Sequence, residues 1–172
     1  MLTNDLETPR LLLRSTREGW GPLCLELWLD PEMGRYLADP PREKADADYL
    51  SFGRGIEQEE GWFPFVAFSR ATGELIGTCS VVPTEEGACW DLGYVVHRSH
   101  WRQGYCTEML RALMDWGRSC GARAFSASVA QENAASNAVM RKLGFHVARE
   151  GEFRKRGTAL VYPEYIYRRE EA

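Results

Sequence analysis

Charge of one sign, long apolar runs and clusters of metal-binding side chains are all scarce in this 172-residue chain. The formal net charge is only −4. That is too slight, and of the wrong sign, for nucleic-acid binding by bulk electrostatics, though it leaves room for a local basic patch. No apolar run approaches the ~20 residues that a membrane span needs. The opening Met1-Leu2-Thr3-Asn4-Asp5-Leu6-Glu7 lacks the basic and apolar regions of a secretion signal. The five cysteines (Cys24, Cys79, Cys89, Cys106, Cys120) contain no C-x-x-C pair. Neither a disulfide framework nor a zinc site is therefore expected, and a reducing cytoplasm is the simplest setting. His97, His100 and His146 keep no metal-ligand spacing with cysteine or carboxylate. Repeats, low-complexity tracts and Pro/Gly-rich linkers are missing too. The remainder, 44% hydrophobic and 27% charged, suits one well-cored domain over residues 6–170.

The hydrophobic pattern predicts a mixed α/β sheet with helices on both faces and antiparallel pairing at its start. Leu11-Leu12-Leu13 between two arginines reads as a first strand. Residues 18–29 carry an approximate helical stripe, Trp20, Leu23, Leu27 and Trp28, and Pro40-Pro41 is a firm break. Residues 44–59 read as a polar helix with Tyr49, Phe52 and Ile56 on one side. Strands follow at 62–68, 75–82 and 90–96, then a helix at 108–119, a strand at 124–129, a helix at 134–143, and strands at 146–149 and 160–167.

The most informative stretch is Trp101-Arg102-Gln103-Gly104-Tyr105-Cys106-Thr107, between a strand and a helix. A tight turn with a central glycine, feeding a helix N-terminus, presents unpaired N–H groups and the positive end of the helix dipole. Such a turn holds a phosphate or pyrophosphate, and glycine lets the ligand approach the backbone. The lysine-serine/threonine ending of a P-loop is missing, as is the three-glycine dinucleotide fingerprint. Cys106 fills either a small-residue slot or the place of a thiol activated by the helix dipole, and no histidine motif accompanies the second option.

These residues resemble the Gcn5-related N-acetyltransferase (GNAT) family, whose pyrophosphate loop reads Arg/Gln-x-x-Gly-x-Gly/Ala. The pattern falls on Trp101-x-x-Gly104-x-Cys106, with only the central glycine standard. An aromatic at the first place resembles the branch that acetylates ribosomal-protein N-termini. Asn133-Ala134-Ala135-Ser136-Asn137 leading to Lys142-Leu143-Gly144-Phe145 is similar to the family's next motif, and Thr8-Pro9-Arg10-Leu11 to its opening strand. The resemblance runs from Leu6 to Arg168. It implies the GNAT acyl-CoA N-acyltransferase fold: a central, mostly antiparallel mixed sheet with splayed middle strands, flanked by helices.

The resemblance further implies acetyl-CoA as co-substrate, a primary amine as acceptor, no metal, and direct attack of the neutral amine in a ternary complex. It implies that Arg102, Gln103, Gly104, Tyr105, Cys106 and Thr107 hold the pyrophosphate, and that Val95 and Val96 pair with the pantetheine through their backbone. Asn133 and Ser136 fall where the family meets the pantetheine arm, although Asn133 also reads as a plain helix N-cap. Arg102, Arg141 and Lys142 are candidates for the outer phosphates, or simply solvated charges. Asp91, two residues before Gly93-Tyr94, stands where the branch has a glutamate and is the candidate base, with Glu152 as alternative. Ser136, just before Asn137-Ala138-Val139, is the candidate acid in preference to Tyr162, Tyr165 or Tyr167. The segment containing the first two helices borders the acceptor in this family.

A peptide α-amine costs about 1 kcal/mol to deprotonate at pH 7 and a lysine ~4.6 kcal/mol. One aspartate therefore suits a peptide N-terminus or small amine better than an internal lysine. A non-catalytic acyl-CoA sensor and an antibiotic-modifying acetyltransferase are the competing readings, the latter calling on an acidic cleft from Glu57, Glu59, Glu60, Glu85 and Glu86. Nothing in the sequence decides between monomer and homodimer.

Overall fold

The computed structural model describes residues 5–172, so most of the opening segment read for a secretion signal lies outside the described residues. Its strands are β1 (Leu6–Glu7), β2 (Leu11–Ser15), β3 (Phe63–Ser69), β4 (Leu75–Thr84), β5 (Cys89–Val96), β6 (Ala124–Ala130), β7 (His146–Arg154) and β8 (Val161–Glu170). Its α-helices are α1 (Gly21–Trp28), α2 (Ala47–Arg54), α3 (Tyr105–Ser119) and α4 (Ala134–Lys142). The strands make one sheet in the order β1-β2-β3-β4-β5-β6-β8-β7. All neighbours are antiparallel except β5 and β6.

Two apolar clusters sandwich the sheet, and strand alternation divides residues between them. In β5, Trp90 and Leu92 join a core with Met109, Leu110, Leu113 and Met114 of α3, while Val95 joins Trp28 and Leu27 of α1 and Tyr49 of α2. The α3 residues recur at helical spacing, and each buried side chain contributes roughly 1.5–3 kcal/mol. α4 supplies Met140 to the same core.

The expected helix at 44–59 is broken into three pieces: a 3-10 turn at Arg42–Lys44, α2, and a second 3-10 turn at Ile56–Gln58. Local chemistry explains the breaks. The Asp46 carboxylate accepts the Tyr49 N–H at 2.8 Å, which starts a helix there, and Gly55 ends it. At the other end of the chain the final strands run longer than expected, because each continues to pair with the other down to Arg154↔Val161.

The feature that positions a site is a parting of strands. β5 and β6 pair only at Cys89↔Ala124, Trp90↔Phe125 and Asp91↔Ser126. Beyond Asp91, β5 continues to Val96 bonded to β4, and β6 continues to Ala130 bonded to β8. The sheet is splayed at its middle, in the GNAT manner.

Candidate active site

At the far end of β5 the chain passes through the glycine turn into α3. Gly104 is the N-cap residue with φ +80°, and Arg102 adopts φ +59°. No side chain caps the helix, which begins at Tyr105, three residues earlier than the pattern indicated. The N–H groups of its first turn therefore lack intrahelical acceptors, and Arg102, Gln103 and Gly104 are exposed. A Cβ at Gly104 would sit 3.5 Å from the Arg10 guanidinium, so the positive φ rather than crowding favours glycine there.

The turn is braced by groups the sequence pattern did not disclose. Arg10 donates to the Gln103 carbonyl at 2.9 Å and to Glu108 at 2.9 Å, and its guanidinium lies 4.2 Å above the Tyr105 ring. Thr8 Oγ1 donates to Glu108 at 2.6 Å. The Trp101 indole N–H donates to the Val96 carbonyl at 2.7 Å. One lone pair of the Val96 carbonyl is thereby engaged, and the second stays free to accept. Burial pushes the Cys106 thiol up to about 12, overriding any lowering by the helix dipole.

Asp91 stands at the point of the splay. Ser126 Oγ donates to one of its oxygens at 2.7 Å. Burial raises the Asp91 pKa, and the Ser126 hydrogen bond opposes that rise only in part. Glu164 of β8, which the sequence reading passed over, is also raised by burial and further by the Asp91 charge, with Arg149 pulling it down. Glu152, the alternative base, is exposed on the edge strand β7.

Across the splay, the Tyr94 hydroxyl and the Ser136 hydroxyl share a hydrogen bond. Burial keeps the Tyr94 phenol protonated well above its usual range. Asn133 is the N-cap of α4, its Oδ1 accepting the Ser136 N–H at 3.2 Å. Asn137 is buried and donates to the carbonyls of Ala130, Gln131 and Asn133, while accepting from Tyr167 at 2.6 Å. Tyr167 is thus committed to structure. Tyr162 stacks with Phe153, 5.3 Å between ring centroids. Arg141 and Lys142 are exposed at the end of α4.

On the opposite face from α3, a cavity of about 200 Å3 opens onto Gly93, Tyr94 and Val95. Its walls come from α1, α2 and the segment between them, through Trp28, Leu37, Asp39 and Phe52, with Trp62 and the β4 residues Thr78 to Ser80 completing it. Alternation along β5 puts Asp91 on the same face as Gly93 and Val95. The structure therefore brings Asp91, Val95, the Tyr94–Ser136 pair and the uncapped turn to one parting of strands. It does not bring Glu152 there. Among the described residues no cluster of three or more His, Cys, Asp or Glu is arranged to hold a metal, and no helix is long and apolar enough to cross a membrane.

Comparison with known proteins agrees with this geometry. The chain is 28% identical over 177 residues to the N-acetyltransferase p20 of Bacillus licheniformis, covering 97% of this chain and 98% of that protein. It superposes on a Salmonella typhimurium acetyltransferase that modifies the N-terminal serine of ribosomal protein L7/L12, at TM-score 0.78 and 20% identity, covering 98% of this chain and 100% of that one. It also superposes on spermidine N-acetyltransferase from Vibrio cholerae, solved with CoA and spermine, at TM-score 0.79 and 15% identity, covering 95% and 97%. At those identities the two structures establish the fold. The model of the acetyltransferase (GNAT) domain matches residues 10–146, most of the chain. The protein belongs to the GNAT acetyltransferase family.

Proposed function

We propose that this protein transfers an acetyl group from acetyl-CoA to a primary amine by direct attack within a ternary complex. The observation that carries the reading is the parting of β5 from β6 at Asp91, on the strand that leads into the uncapped first turn of α3. The N–H groups of Tyr105, Cys106 and Thr107, with the helix dipole behind them, suit the pyrophosphate. Gln103 and Gly104 form the turn before them, and in this reading the exposed Arg102 side chain meets an outer phosphate. The edge of β5 at Val95 is unpaired on its β6 side and suits the pantetheine amides. Asn133, occupied as a helix cap, holds Ser136 in place more than it contacts the ligand.

Acetyl-CoA supplies an activated acyl carbon. Asp91 takes the proton from the acceptor ammonium, directly or through water; burial makes it a stronger base than an ordinary aspartate, and Ser126 fixes its orientation. As the nitrogen–carbon bond forms and the carbon–sulfur bond breaks, Ser136 gives a proton to the departing sulfur. Tyr94, which stays protonated, orients the Ser136 hydroxyl through their shared hydrogen bond, and solvent returns the proton to Ser136 once the thiol departs. The acceptor enters from the α1/α2 face, where the cavity meets Gly93.

The test is calorimetric titration with acetyl-CoA, followed by thiol release against pooled peptides and amines. Binding with release supports the reading. Binding without release on any pool points to an acyl-CoA sensor, and no binding removes the phosphate role of residues 102–107. An antibiotic acceptor is disfavoured by the cavity walls, where Asp39 is the one carboxylate.

A further inference from the structure

The cavity that meets β5 has a composition unlike that expected for either a polyamine or a large protein acceptor. Its walls are largely aromatic. The Phe52 and Trp62 rings stack with centroids 5.7 Å apart at 24°, and Trp28 lies 6.0 Å from Trp62. Trp28 offers no polar handle, because its indole N–H is spent on Thr78 Oγ1 at 3.1 Å. The floor at Gly93 is open because glycine carries no side chain: a Cβ there would come 2.8 Å from Ser80 Oγ and displace that hydroxyl. A flat apolar group can therefore lie against the aromatic wall with its substituent directed to β5.

The polar end of the cavity is a single carboxylate, Asp39. One of its oxygens accepts the Tyr49 hydroxyl at 2.6 Å. Among the described residues no cation lies within ion-pair distance of it, so the other oxygen can accept a hydrogen bond from a ligand. A polyamine carries several ammonium groups, and the walls offer a carboxylate to only one of them. The volume, about 200 Å3, falls below the ~300–1,000 Å3 common for drug-sized ligands and suits one ring on a short linker.

Building on the acetyl-transfer reading, we infer that the acceptor is an arylalkylamine. Its ring packs on Trp62 and Phe52, its amine points to Gly93 on β5, and a hydrogen-bond donor on the ring reaches Asp39. Offset aromatic contacts of this kind favour flat acceptors over flexible aliphatic ones.

The experiment compares tyramine, phenethylamine, spermidine and a serine-terminated peptide as acceptors with acetyl-CoA, following free thiol and product mass. Tyramine should exceed spermidine and the peptide at least tenfold in kcat/KM. Trp62→Ala, or Trp62→Leu should the first variant fold poorly, should raise the tyramine KM about tenfold while kcat changes less than threefold. Asp39→Asn should lower the tyramine-to-phenethylamine preference, a ratio that cancels any general damage from disturbing Tyr49. Preference for spermidine or the peptide overturns the acceptor class while leaving acetyl transfer standing, as does a tyramine KM indifferent to Trp62. If acetyl-CoA binds and no amine is acetylated, the transfer reading fails by itself. Quenching of tryptophan fluorescence by tyramine, in wild type against the Trp62 variant, then decides the ligand class: a signal lost with Trp62 supports it, and no saturable signal overturns it.

Discussion

Asp91 is a buried carboxylate with one hydroxyl donor, and both facts bear on how it would titrate. Burial disfavours its charged form, so its folded pKa lies above the ordinary value of ~3.9. The sign for stability follows: a raised folded pKa favours folding at pH below the unfolded value, and that contribution is lost as pH rises through the folded one. For catalysis the direction is opposite, because the base form grows as pH rises. The acid limb of kcat/KM should therefore lie above the usual aspartate range. Asp91→Asn should lower kcat by ~10²–10⁴ and abolish that limb. Ser126→Ala removes the one hydrogen bond that opposes the rise and should move the limb to higher pH. A pH–rate profile on a common acceptor checks all three, and an unchanged limb in Asp91→Asn would assign the base elsewhere. Cys106 gives a contrasting expectation. With its thiol at about 12 it is not a thiolate at neutral pH, so Cys106→Ala should keep activity within about threefold, and iodoacetamide should label it slowly at pH 7. The position of Asp91 beside Gly93-Tyr94 was legible in the sequence. Tyr94 as the partner of Ser136 was not, because 42 residues separate them and only folding makes them neighbours.

At the scale of elements, the glycine turn, the strand before it and the helix after it were legible from local chemistry. So was the end of α4, where the Gly144 N–H bonds to the Arg141 carbonyl and the Phe145 N–H to the Met140 carbonyl, both at 3.0 Å. The continuous helix expected at 44–59 failed for the opposite reason: apolar spacing persisted across Asp46 and Gly55, and capping chemistry outweighed it. The brace between β2 and α3 was invisible because Arg10 and Glu108 are 98 residues apart. Burial alone would raise the Glu108 pKa, yet hydrogen bonds from Thr8 and Arg10 outweigh it and hold the carboxyl below its usual range. A depressed carboxylate stabilises the fold above its unfolded pKa and loses that contribution as pH falls through the folded one. Glu108→Gln should thus cost on the order of 1 kcal/mol at pH 7, discounted because Arg10 is half-exposed, and the difference from wild type should shrink below about pH 4. The same change loosens the Gln103 carbonyl and should weaken acetyl-CoA binding several-fold. Urea unfolding at two pH values and calorimetry measure both effects; equal destabilisation at pH 7 and pH 3 would mean the charge of Glu108 is irrelevant to the brace.

For the whole molecule, the hairpin near the C-terminus meets the segment between α1 and α2 beside the aromatic cavity. The β7–β8 hairpin carries Lys155, whose buried ammonium donates to the Gly34 carbonyl at 2.7 Å and the Leu37 carbonyl at 2.9 Å. Next to it, the Arg156 N–H donates to the Ala38 carbonyl at 2.9 Å, and its guanidinium reaches Asp46. Leu37 and Asp39, from that same segment, form part of the cavity wall. Neither the hairpin's place nor the insertion of β8 between β6 and β7 could be read from local pattern, since both depend on pairing between distant segments. Burial lowers the Lys155 pKa, opposed by nearby Asp39, so removing the charge relieves some desolvation. Against that, two charge-assisted hydrogen bonds at ~1.5–3 kcal/mol each are lost and two carbonyls are left unpaired. The second effect is larger, and Lys155→Met should destabilise by about 2 kcal/mol, lowering Tm by roughly 4–8 °C at this chain length. Because the loosened segment borders the acceptor and not the glycine turn, the acceptor KM should rise several-fold while acetyl-CoA affinity stays within twofold of wild type. Measured together, Tm, acceptor KM and acetyl-CoA Kd separate the possibilities. A fall in Tm with both ligands weakened alike would mean that Lys155 supports the fold as a whole. Weakening confined to the acceptor would show that the C-terminal hairpin sets the shape of the acceptor site from outside it.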